Sequence, residues 1–416
     1  MNSSSPSTLI IGAGLSGLAC ALELHQAGKP FRILEKSDSP GGRVLTDEVN
    51  GFLLDRGFQV YLDAYPTTGN LLDYKALNLK AFEPGALIFK ENNSKPTRLM
   101  DPFRRPSALP ASLLNSIGTI FDKMRVSLLR QKIGTSPLDV TSQEEFKTTE
   151  KFLADFGFSP SIIDQFFRSF YGGIFLEREL QTNSCFFEFT FKMLTRGHAT
   201  IPARGMGEIP KQLASRLPSE CFSFNTTVTD IRNNCVQTSK GETIITDQIV
   251  VAAPGIHAKE FLPDLSFPKM NWQSTTNLYF AAPTSPLNEP IIALTGSENS
   301  LINSVACLTD LSPDLSPDNR ALLSVTLIGI PDLDDTNLQA QARKELSCWF
   351  GNEVAEWEHL CTYRIPHALP CHSVKTNQTV KTPDNIHLCG DYLETASIEG
   401  AICSGQAVAK KIVAIT

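Results

Sequence analysis

The sequence lacks the features by which nucleic-acid-binding and membrane-spanning proteins are usually recognised. Its 37 basic and 44 acidic residues give a formal charge of −7, and no block rich in lysine and arginine stands out. Nucleic-acid-binding domains carry basic patches, so we expect no nucleic-acid partner. The chain also contains no uninterrupted run of eighteen apolar residues, so we expect no membrane-spanning helix.

Cysteine is present, but not in the pairs that many metal and redox sites use. The ten cysteines are scattered without a Cys-x-x-Cys pair, which indicates reduced thiols in a cytoplasmic setting. Residues 1–7 carry no positive charge and are followed by a strand pattern, so we expect no signal peptide. His367 and His372 flank Cys371 at a spacing that fits no common zinc pattern, and we therefore predict no metal site.

A strand, a turn, a helix and a second strand are encoded at the start of the chain. Residues 8–11 form a short apolar run that leads into a glycine-rich turn. Apolar residues then recur at helical spacing until Gly28, and residues 31–35 return as a second strand. This arrangement is typical of a Rossmann-type dinucleotide-binding domain.

The glycine-rich turn predicts a pyrophosphate site. Gly12 permits the tight turn, Gly14 lets the backbone approach a pyrophosphate, and Gly17 lets the helix pack on the strand. The start of the helix then offers unpaired N–H groups and the positive end of its dipole to the phosphates. We therefore predict that the whole turn binds the cofactor: Gly12, Ala13, Gly14, Leu15, Ser16 and Gly17.

Glu35 ends the second strand, eighteen residues beyond Gly17. A carboxylate at this place accepts hydrogen bonds from an adenosine ribose and repels a 2′-phosphate, which favours FAD or NAD over NADP. Glu35 and Lys36 are then followed by Gly41, Gly42 and Arg43.

This combination resembles the N-terminal signature of a large flavoprotein superfamily. The superfamily includes flavin-containing amine oxidases, protoporphyrinogen oxidases and phytoene-type carotenoid desaturases. The resemblance implies a non-covalent FAD, with Lys36, Gly42 and Arg43 at the cofactor and the Arg43 guanidinium beside its phosphates. Cys371 is a weaker candidate for a covalent tether to the flavin.

Further segments carry the same resemblance. It implies that Gly57, Phe58 and Gln59 lie near the isoalloxazine ring and that the backbone of Val228 holds the adenine. Near the C-terminus, Gly390 and Asp391 resemble the motif that meets the ribitol or phosphates, while Ser397 and Ile398 would face the pyrimidine edge of the flavin. Arg56, Arg204 and Glu394 are candidates for the flavin's surroundings.

The length of 416 residues predicts two packed domains. The opening strand–turn–helix–strand unit and the resemblance together imply a mixed α/β fold. We expect a Rossmann-type FAD-binding domain assembled from discontinuous segments, with an inserted substrate domain of mixed sheet and helices. The segments assigned to the FAD-binding domain are 1–75, 200–265 and 375–416. Those assigned to the substrate domain are 76–199 and 266–374.

An aromatic-rich stretch, residues 152–194, is expected to set the choice of substrate. It resembles the corresponding part of phytoene-desaturase-like and protoporphyrinogen-oxidase-like proteins. A pocket lined by phenylalanine suits a long apolar substrate, whereas the alternative is that most of these rings belong to the core. Amine oxidases usually place an aromatic side chain where this sequence has Ser397, which counts against amine oxidation.

These features predict an FAD-dependent oxidoreductase that passes hydride from a hydrophobic small molecule, an isoprenoid or polyene, to flavin N5. We name no catalytic acid or base. Two alternatives stay open: an oxygen-using porphyrinogen or amine oxidase, and a non-redox isomerase or scaffold in which FAD is structural.

Residues 108–133 combine apolar side chains at three- and four-residue steps with lysines and arginines elsewhere on the same helix. One interpretation is a helix that lies on a membrane surface and admits a lipid substrate. The other is a helix that faces the core and exposes a basic side to solvent.

Overall fold

The computed structural model describes residues 7–90, 95–108, 116–135, 147–263, 265–267, 271–371 and 380–415. Its strands are β1 Thr8–Ile11, β2 Phe31–Leu34, β3 Thr46–Val49, β4 Phe52–Asp55, β5 Tyr61–Leu62, β6 Lys80–Ala81, β7 Gly85–Phe89, β8 Thr97–Met100, β9 Ala199–Ile201, β10 Phe222–Ser223, β11 Val228–Arg232, β12 Cys235–Thr238, β13 Thr243–Ile245, β14 Gln248–Val251, β15 Trp272–Ala282, β16 Ile292–Thr295, β17 Ser304–Cys307, β18 Ala321–Ile328, β19 Glu358–Pro370 and β20 Ile386–Leu388.

The α-helices are α1 Leu15–Gln26, α2 Thr68–Leu71, α3 Tyr74–Leu77, α4 Ile120–Thr135, α5 Thr149–Asp155, α6 Pro160–Ile162, α7 Arg168–Phe175, α8 Ser184–Arg196, α9 Glu208–Ala214, α10 Gly255–Phe261, α11 Asp335–Phe350 and α12 Ile398–Ile415. A π-helical turn, Ile163–Phe167, joins α6 to α7. Within the described residues, no helix is both long enough and apolar enough to cross a bilayer.

A five-stranded parallel sheet forms the base of the fold, in the order β10-β2-β1-β14-β20. Its strands come from three separate stretches of the chain. The central strand β1 is fully buried and β14 is buried except at its first residue, Gln248, as expected of parallel strands covered on both faces. The predicted Rossmann-type opening and the mixed α/β fold class are confirmed.

Helix α1 packs between this sheet and the C-terminal helix α12. The two helices approach so closely that a Cβ atom at Gly405 would overlap the carbonyl oxygen of Ser16. Because only glycine permits this distance, the N- and C-terminal helices form one layer over the sheet.

A seven-stranded sheet forms the second large element, in the order β19-β15-β18-β17-β16-β7-β8. It is mixed, because β16 pairs with β7 in parallel while the other neighbours are antiparallel. The longest strands, β15 and β19, pair along most of their length. Their far ends, at Trp272 and Pro370, lie beside the segment that follows β2.

The aromatic-rich stretch folds into helices α5 to α8. Most of its rings are packed on one another, and Phe167, Phe175 and Phe187 are almost fully buried. The interpretation as core is therefore correct for these rings. Phe166, Phe170 and Ile174 differ, since they are only partly buried and follow one another at four-residue steps on the π-helical turn and α7.

The helix predicted over residues 108–133 begins at Ile120 in the structure, so its predicted start was wrong. Residues 106–108 form a 3₁₀ turn, and Gly118 has a left-handed backbone with φ of +64°. Asp122 then accepts hydrogen bonds from the backbone N–H and hydroxyl of Thr119, which stabilises the start of the helix. Leu113, part of the predicted apolar stripe, lies outside the described residues.

The hairpin β3–β4 is tied to the turn after β9 through the buried carboxyl of Asp55. Its Oδ1 accepts hydrogen bonds from Thr46 Oγ1 at 2.5 Å and from the backbone N–H of Met206 at 2.8 Å. The Tyr279 hydroxyl of β15 donates to the Asp55 carbonyl at 2.9 Å. Burial raises the pKa of Asp55 to about 6, although its hydrogen bonds act in the opposite direction.

We expect Asp55 to make the free energy of unfolding depend on pH between about 4 and about 6. The folded protein holds the Asp55 proton more tightly than the unfolded chain, so the stability that Asp55 contributes is present below about pH 4 and is lost as pH rises to about 6. Asp55→Asn keeps the acceptor oxygen but cannot ionise. The variant should therefore lack the decrease in the free energy of unfolding, on the order of 3 kcal/mol, that Asp55 causes over this pH range.

The measurement is urea unfolding across this pH range, with the exposed Asp332→Asn as the control. An Asp55→Asn protein that lost stability with the same slope as the wild type would contradict the assignment.

Candidate functional site

The glycine-rich turn leads directly into α1, and Gly14 is the N-cap residue. No side chain caps this helix end, so its first backbone N–H groups lack that partner. An uncapped amino end of this kind attracts negative charge, since its N–H groups and the helix dipole act together.

Glycine is present at the positions of this turn for different structural reasons. A Cβ at Gly17 would overlap the carbonyl oxygen of Gly12, so glycine at position 17 is required by the fold itself. Gly14 has an ordinary backbone conformation, with φ of −70° and ψ of 176°, and a Cβ there would meet nothing within 4 Å. The protein's own packing therefore does not require glycine at position 14, and the space beside it is open.

Glu35 lies buried under this turn. One carboxylate oxygen accepts the backbone N–H of Ala13 at 2.7 Å, and the other accepts the N–H and hydroxyl of Ser37 at 2.9 and 2.7 Å. The carboxylate therefore holds the turn in place and still has acceptor capacity, because its two oxygens offer about four lone-pair sites. Lys36 points to solvent. Ser37 was not foreseen from the sequence.

Val228, the expected adenine contact, begins the strand β11 and is buried. The chain just before it runs along the Glu35 segment, because the Thr226 N–H donates to the Glu35 carbonyl and the Asn225 N–H donates to that of Ser37, both at 2.9 Å. The structure thus brings the predicted adenine and ribose positions next to each other.

The second glycine turn, Gly41 and Gly42, lies against the first. The Gly41 N–H donates to the Ala13 carbonyl at 2.9 Å, and Gly42 faces the Cα atom of Gly14. Arg43 follows at once, so its backbone lies next to the turn that leads into α1.

Arg43 joins the two ends of the chain. Its Nη2 lies 2.5 Å from Asp391 Oδ1, and its Nη1 donates to the Ala368 carbonyl of β19 at 3.1 Å. The Asp391 side chain is only 6% exposed, whereas that of Arg43 is 34% exposed, so the guanidinium keeps room for a further anion. The resemblance placed both residues at the cofactor, and the structure brings them together.

Trp272 is a member of this cluster that the sequence did not indicate. The Arg43 guanidinium lies over its ring, 5.2 Å from the centroid. The indole nitrogen of Trp272 and the hydroxyl of Tyr392 are buried without a hydrogen-bond partner among the described residues. Unpaired buried polar atoms are rare in proteins, and these two are candidates for contact with a bound ligand.

Gly57, Phe58 and Gln59 lie between Arg43 and the seven-stranded sheet. Gly57 has a φ of +90° and lies against Ile365 of β19. The Gln59 side-chain amide donates to the Arg43 carbonyl at 2.9 Å. The segment that the resemblance assigns to the ring of the cofactor is thus held by the same residue that is assigned to its phosphates.

The C-terminal motif leads into α12. The Gly390 N–H donates to the Ser404 hydroxyl at 3.1 Å, and the Ser397 hydroxyl accepts the Gly400 N–H at 3.0 Å. Ser397 therefore caps the helix that begins at Ile398. Buried Glu399 accepts the backbone N–H groups of Thr67 and Thr68 at 2.7 and 3.0 Å, a contact that the sequence did not reveal.

Three candidates for the flavin's surroundings lie at the surface. Arg56 is exposed and forms a two-bonded ion pair with Asp47 at 2.8 and 2.9 Å, while Arg204 and Glu394 are exposed. Asp47 also accepts a hydrogen bond from the Tyr363 hydroxyl at 2.8 Å, so Arg56, Asp47 and Tyr363 form one hydrogen-bonded network at the protein surface. Burial raises the pKa of Tyr363, and this phenol stays neutral at ordinary pH.

Within the described part of the chain, no group of three or more His, Cys, Asp or Glu side chains is placed to hold a metal ion. The His367 ring packs edge-on against Trp272, with centroids 5.7 Å apart. His372 lies outside the described residues.

Comparison with known proteins points to one family. The model of the family described as flavin-containing amine oxidoreductase matches residues 15–413. A 15-cis-phytoene desaturase of an Oncidium hybrid cultivar is 24% identical, over 97% of this chain and 77% of the relative. A lycopene-forming phytoene desaturase of Pantoea ananas is 48% identical over 56 residues, which cover 14% of this chain and 11% of the relative.

Solved structures share the fold at low identity. A proposed protoporphyrinogen oxidase from Exiguobacterium superposes with a TM-score of 0.75 at 17% identity, covering 99% of this chain and 100% of the other. Cyclohexylamine oxidase from Brevibacterium oxydans gives a TM-score of 0.75 at 15% identity, with 99% of each chain covered.

We expect Gly14→Ala to remove bound flavin without unfolding the protein. Alanine suits the backbone conformation of Gly14, but it is less favourable than glycine at an N-cap, and these two effects oppose each other. The free energy of unfolding of the apoprotein should therefore change by no more than about 1 kcal/mol. The new methyl group would occupy the space beside the helix end, and flavin content should fall at least about tenfold. The measurements are the absorbance ratio of flavin to protein and the thermal midpoint of the apoprotein.

Gly17→Ala is the matched comparison. Its methyl group would overlap the Gly12 carbonyl, so this variant should lower the thermal midpoint of the apoprotein itself. Full flavin content in Gly14→Ala would show that the turn does not contact the cofactor.

Proposed function

The chain belongs to the family of flavin-containing amine oxidoreductases, and on this premise we propose that it is an FAD-dependent dehydrogenase or desaturase of a hydrophobic, isoprenoid or polyene, substrate. The observation that carries the proposal is the joining of the uncapped start of α1, Arg43 and Asp391 into one site. A dinucleotide is long enough to contact all three of these groups at once.

Binding is divided among the residues of this site. The start of α1 and the Arg43 guanidinium would neutralise the diphosphate, and Glu35 and the backbone of Val228 would hold the adenosine. Asp391, paired with Arg43, would accept hydrogen bonds from hydroxyl groups of the ribityl chain. The buried partnerless polar atoms of Trp272 and Tyr392 lie in the same region.

FAD, when bound, supplies the acceptor for hydride from a substrate C–H bond. The chain supplies position and electrostatics. The amino end of the eighteen-residue helix α12 carries a partial positive charge, which favours negative charge on a group held there. Gly57 and Phe58 would support the group from the side of the seven-stranded sheet.

Three groups around the start of α12 have structural roles. Glu399 accepts two backbone N–H groups, and Ser397 caps the helix. Burial raises the pKa of Tyr65, and so keeps its hydroxyl protonated. We therefore assign the role of a base to none of these three groups.

Three observations support a hydrophobic substrate. Phytoene desaturases are similar to this chain over 97% of its length. Phe166, Phe170 and Ile174 form an incompletely covered apolar stripe, and the rings of Phe166 and Phe170 are stacked at 5.3 Å. The stripe begins on a π-helical turn, a feature that is frequent at functional sites.

The position of Ser397 bears on the amine-oxidase alternative. An amine held against a flavin is usually enclosed by aromatic side chains, and here the corresponding side chain is a helix-capping serine. Amine and porphyrinogen oxidation are therefore the second candidates, supported by the folds of the solved structures alone.

We also propose that the protein works in a reducing compartment such as the cytoplasm. All ten cysteines are free thiols, and four of them are buried in the core.

Release of the cofactor by denaturation tests its identity. Acid or heat should free a flavin that elutes with authentic FAD and leave a colourless protein, because the predicted contacts are all non-covalent. Release of FMN alone would contradict the roles of Glu35 and Val228. A flavin retained on the denatured chain would contradict non-covalent binding and direct attention to Cys371.

Bleaching of the flavin without oxygen tests the substrate class. A polyene such as phytoene, added in detergent, should bleach the visible flavin absorbance at least about tenfold faster than an aliphatic amine or a reduced porphyrinogen. Faster bleaching by an amine or porphyrinogen would establish the second candidate. If no compound bleaches the flavin while chemically reduced protein isomerises the polyene, the net-redox proposal is wrong.

A further inference from the structure

Helix α4 and the turn before it expose an unusual number of large apolar side chains. Five of them are more than half exposed: Phe103 at 51%, Ile120 at 54%, Phe121 at 65%, Met124 at 59% and Leu128 at 58%. We call these five residues the α4 face. Single exposed apolar residues are common on proteins, but a contiguous group marks a surface that contacts something apolar.

The α4 face is distinct from the side of the helix that packs on the protein. At about 100° per residue, Ile120, Phe121, Met124 and Leu128 fall within an arc of about 100°. The buried Leu129 and Ile133 lie on the opposite side and pack towards α8. The core-facing interpretation therefore accounts for one apolar side of α4 and leaves the second side unexplained.

Basic residues border the α4 face on both sides. By the same helical geometry, Lys123 and Arg130 lie along one edge, and Arg125 and Lys132 lie along the other. Their long side chains have apolar stems and charged ends, so they can extend from an apolar layer to a polar one.

The charge of this part of the chain is opposite to that of the rest. Residues 101–135 contain six basic residues and two acidic ones, a net charge of +4 in a chain of −7. Arg130 pairs with Asp101 and Arg125 lies 3.8 Å from Asp122, and both of these acidic residues are already included in the net charge. Arg105 pairs with Glu83, which lies outside the segment and lowers the local excess of positive charge by one. An apolar strip between two basic borders matches the layers of a bilayer that contains anionic lipids.

We propose that α4 lies in the plane of an anionic lipid bilayer, with the α4 face among the acyl chains and the flanking Lys123, Arg125 and Arg130 at the headgroups. A second copy of the chain fits the surface less well, because each copy would bring the same positive charge to the contact.

If the proposed function is correct, the position of α4 would let this membrane contact admit a substrate from the bilayer. The inner side of α4 packs towards α8, and the Lys132 ammonium lies over the rings of Phe152 and Phe156, 5.3 and 5.6 Å from their centroids. The helix therefore lies between the bilayer and the aromatic layer of the protein, where a substrate dissolved in lipid would enter.

Sedimentation of the flavin-loaded protein with vesicles tests the proposal without any substrate. We expect binding to vesicles of phosphatidylcholine with phosphatidylglycerol, and weaker binding to phosphatidylcholine alone or at high salt. The triple variant F121S/M124S/L128S should reduce the partition coefficient at least about tenfold, because it removes apolar surface that would be buried in lipid. Its flavin content should be unchanged.

The matched control is Ile245→Ser, which removes an equally exposed apolar side chain, 65% exposed, from β13. It should bind vesicles like the wild type. The single variant F121S should lose less vesicle binding than the triple variant. Because one substitution disturbs folding less, F121S keeps the test valid if the triple variant misfolds.

Equal vesicle binding by the wild type and the triple variant would overturn the proposal, as would a wild type that ignores anionic vesicles. A wild-type dimer that the triple variant converts to a monomer, without vesicle binding by either, would assign the face to a second copy instead. Vesicle binding without polyene-dependent bleaching would leave the membrane contact standing and refute the proposed substrate.

Discussion

The ion pair between Arg43 and Asp391 holds the candidate site together. The Asp391 carboxylate is nearly buried, and a buried charge is costly unless a partner of opposite sign stays with it. Arg43 supplies that charge, donates to the Ala368 carbonyl of β19 and covers the ring of Trp272. One guanidinium thus joins the N-terminal turns, the C-terminal motif and the end of the longest strands. Loss of it would leave an unpaired carboxylate where the proposed diphosphate lies.

Close approach of backbone governs the surroundings of this pair. Gly17 lies against Gly12, and Gly405 lies against Ser16, so α1 is fixed between the sheet and α12 with no room for side chains. Gly14 is the exception, because the space beside it is open. A glycine that packing does not require, at the uncapped start of a helix, is best explained by a ligand that needs the backbone itself.

The aromatic layer, helices α5 to α8, lies beneath α4. Most of its rings belong to the core of the protein. The partly buried stripe on α7 and the exposed α4 face are apolar surfaces for which the folded chain supplies no complete cover. A hydrophobic substrate and a lipid surface would cover them, and the same physical effect, removal of apolar area from water, would drive both contacts.

Local pattern in the sequence was sufficient for the opening strand–turn–helix–strand unit, because this unit is specified by its own periodicity and its glycines. The mixed α/β fold and the family also followed from motifs. The start of α4 did not, since its boundary depends on Asp122 and on the backbone of Gly118. Trp272, Tyr279 and Glu399 could not be foreseen, because each meets its partner across more than 220 residues of chain. Which apolar residues are core and which are exposed was likewise decided only by tertiary packing, since helical spacing is the same for both.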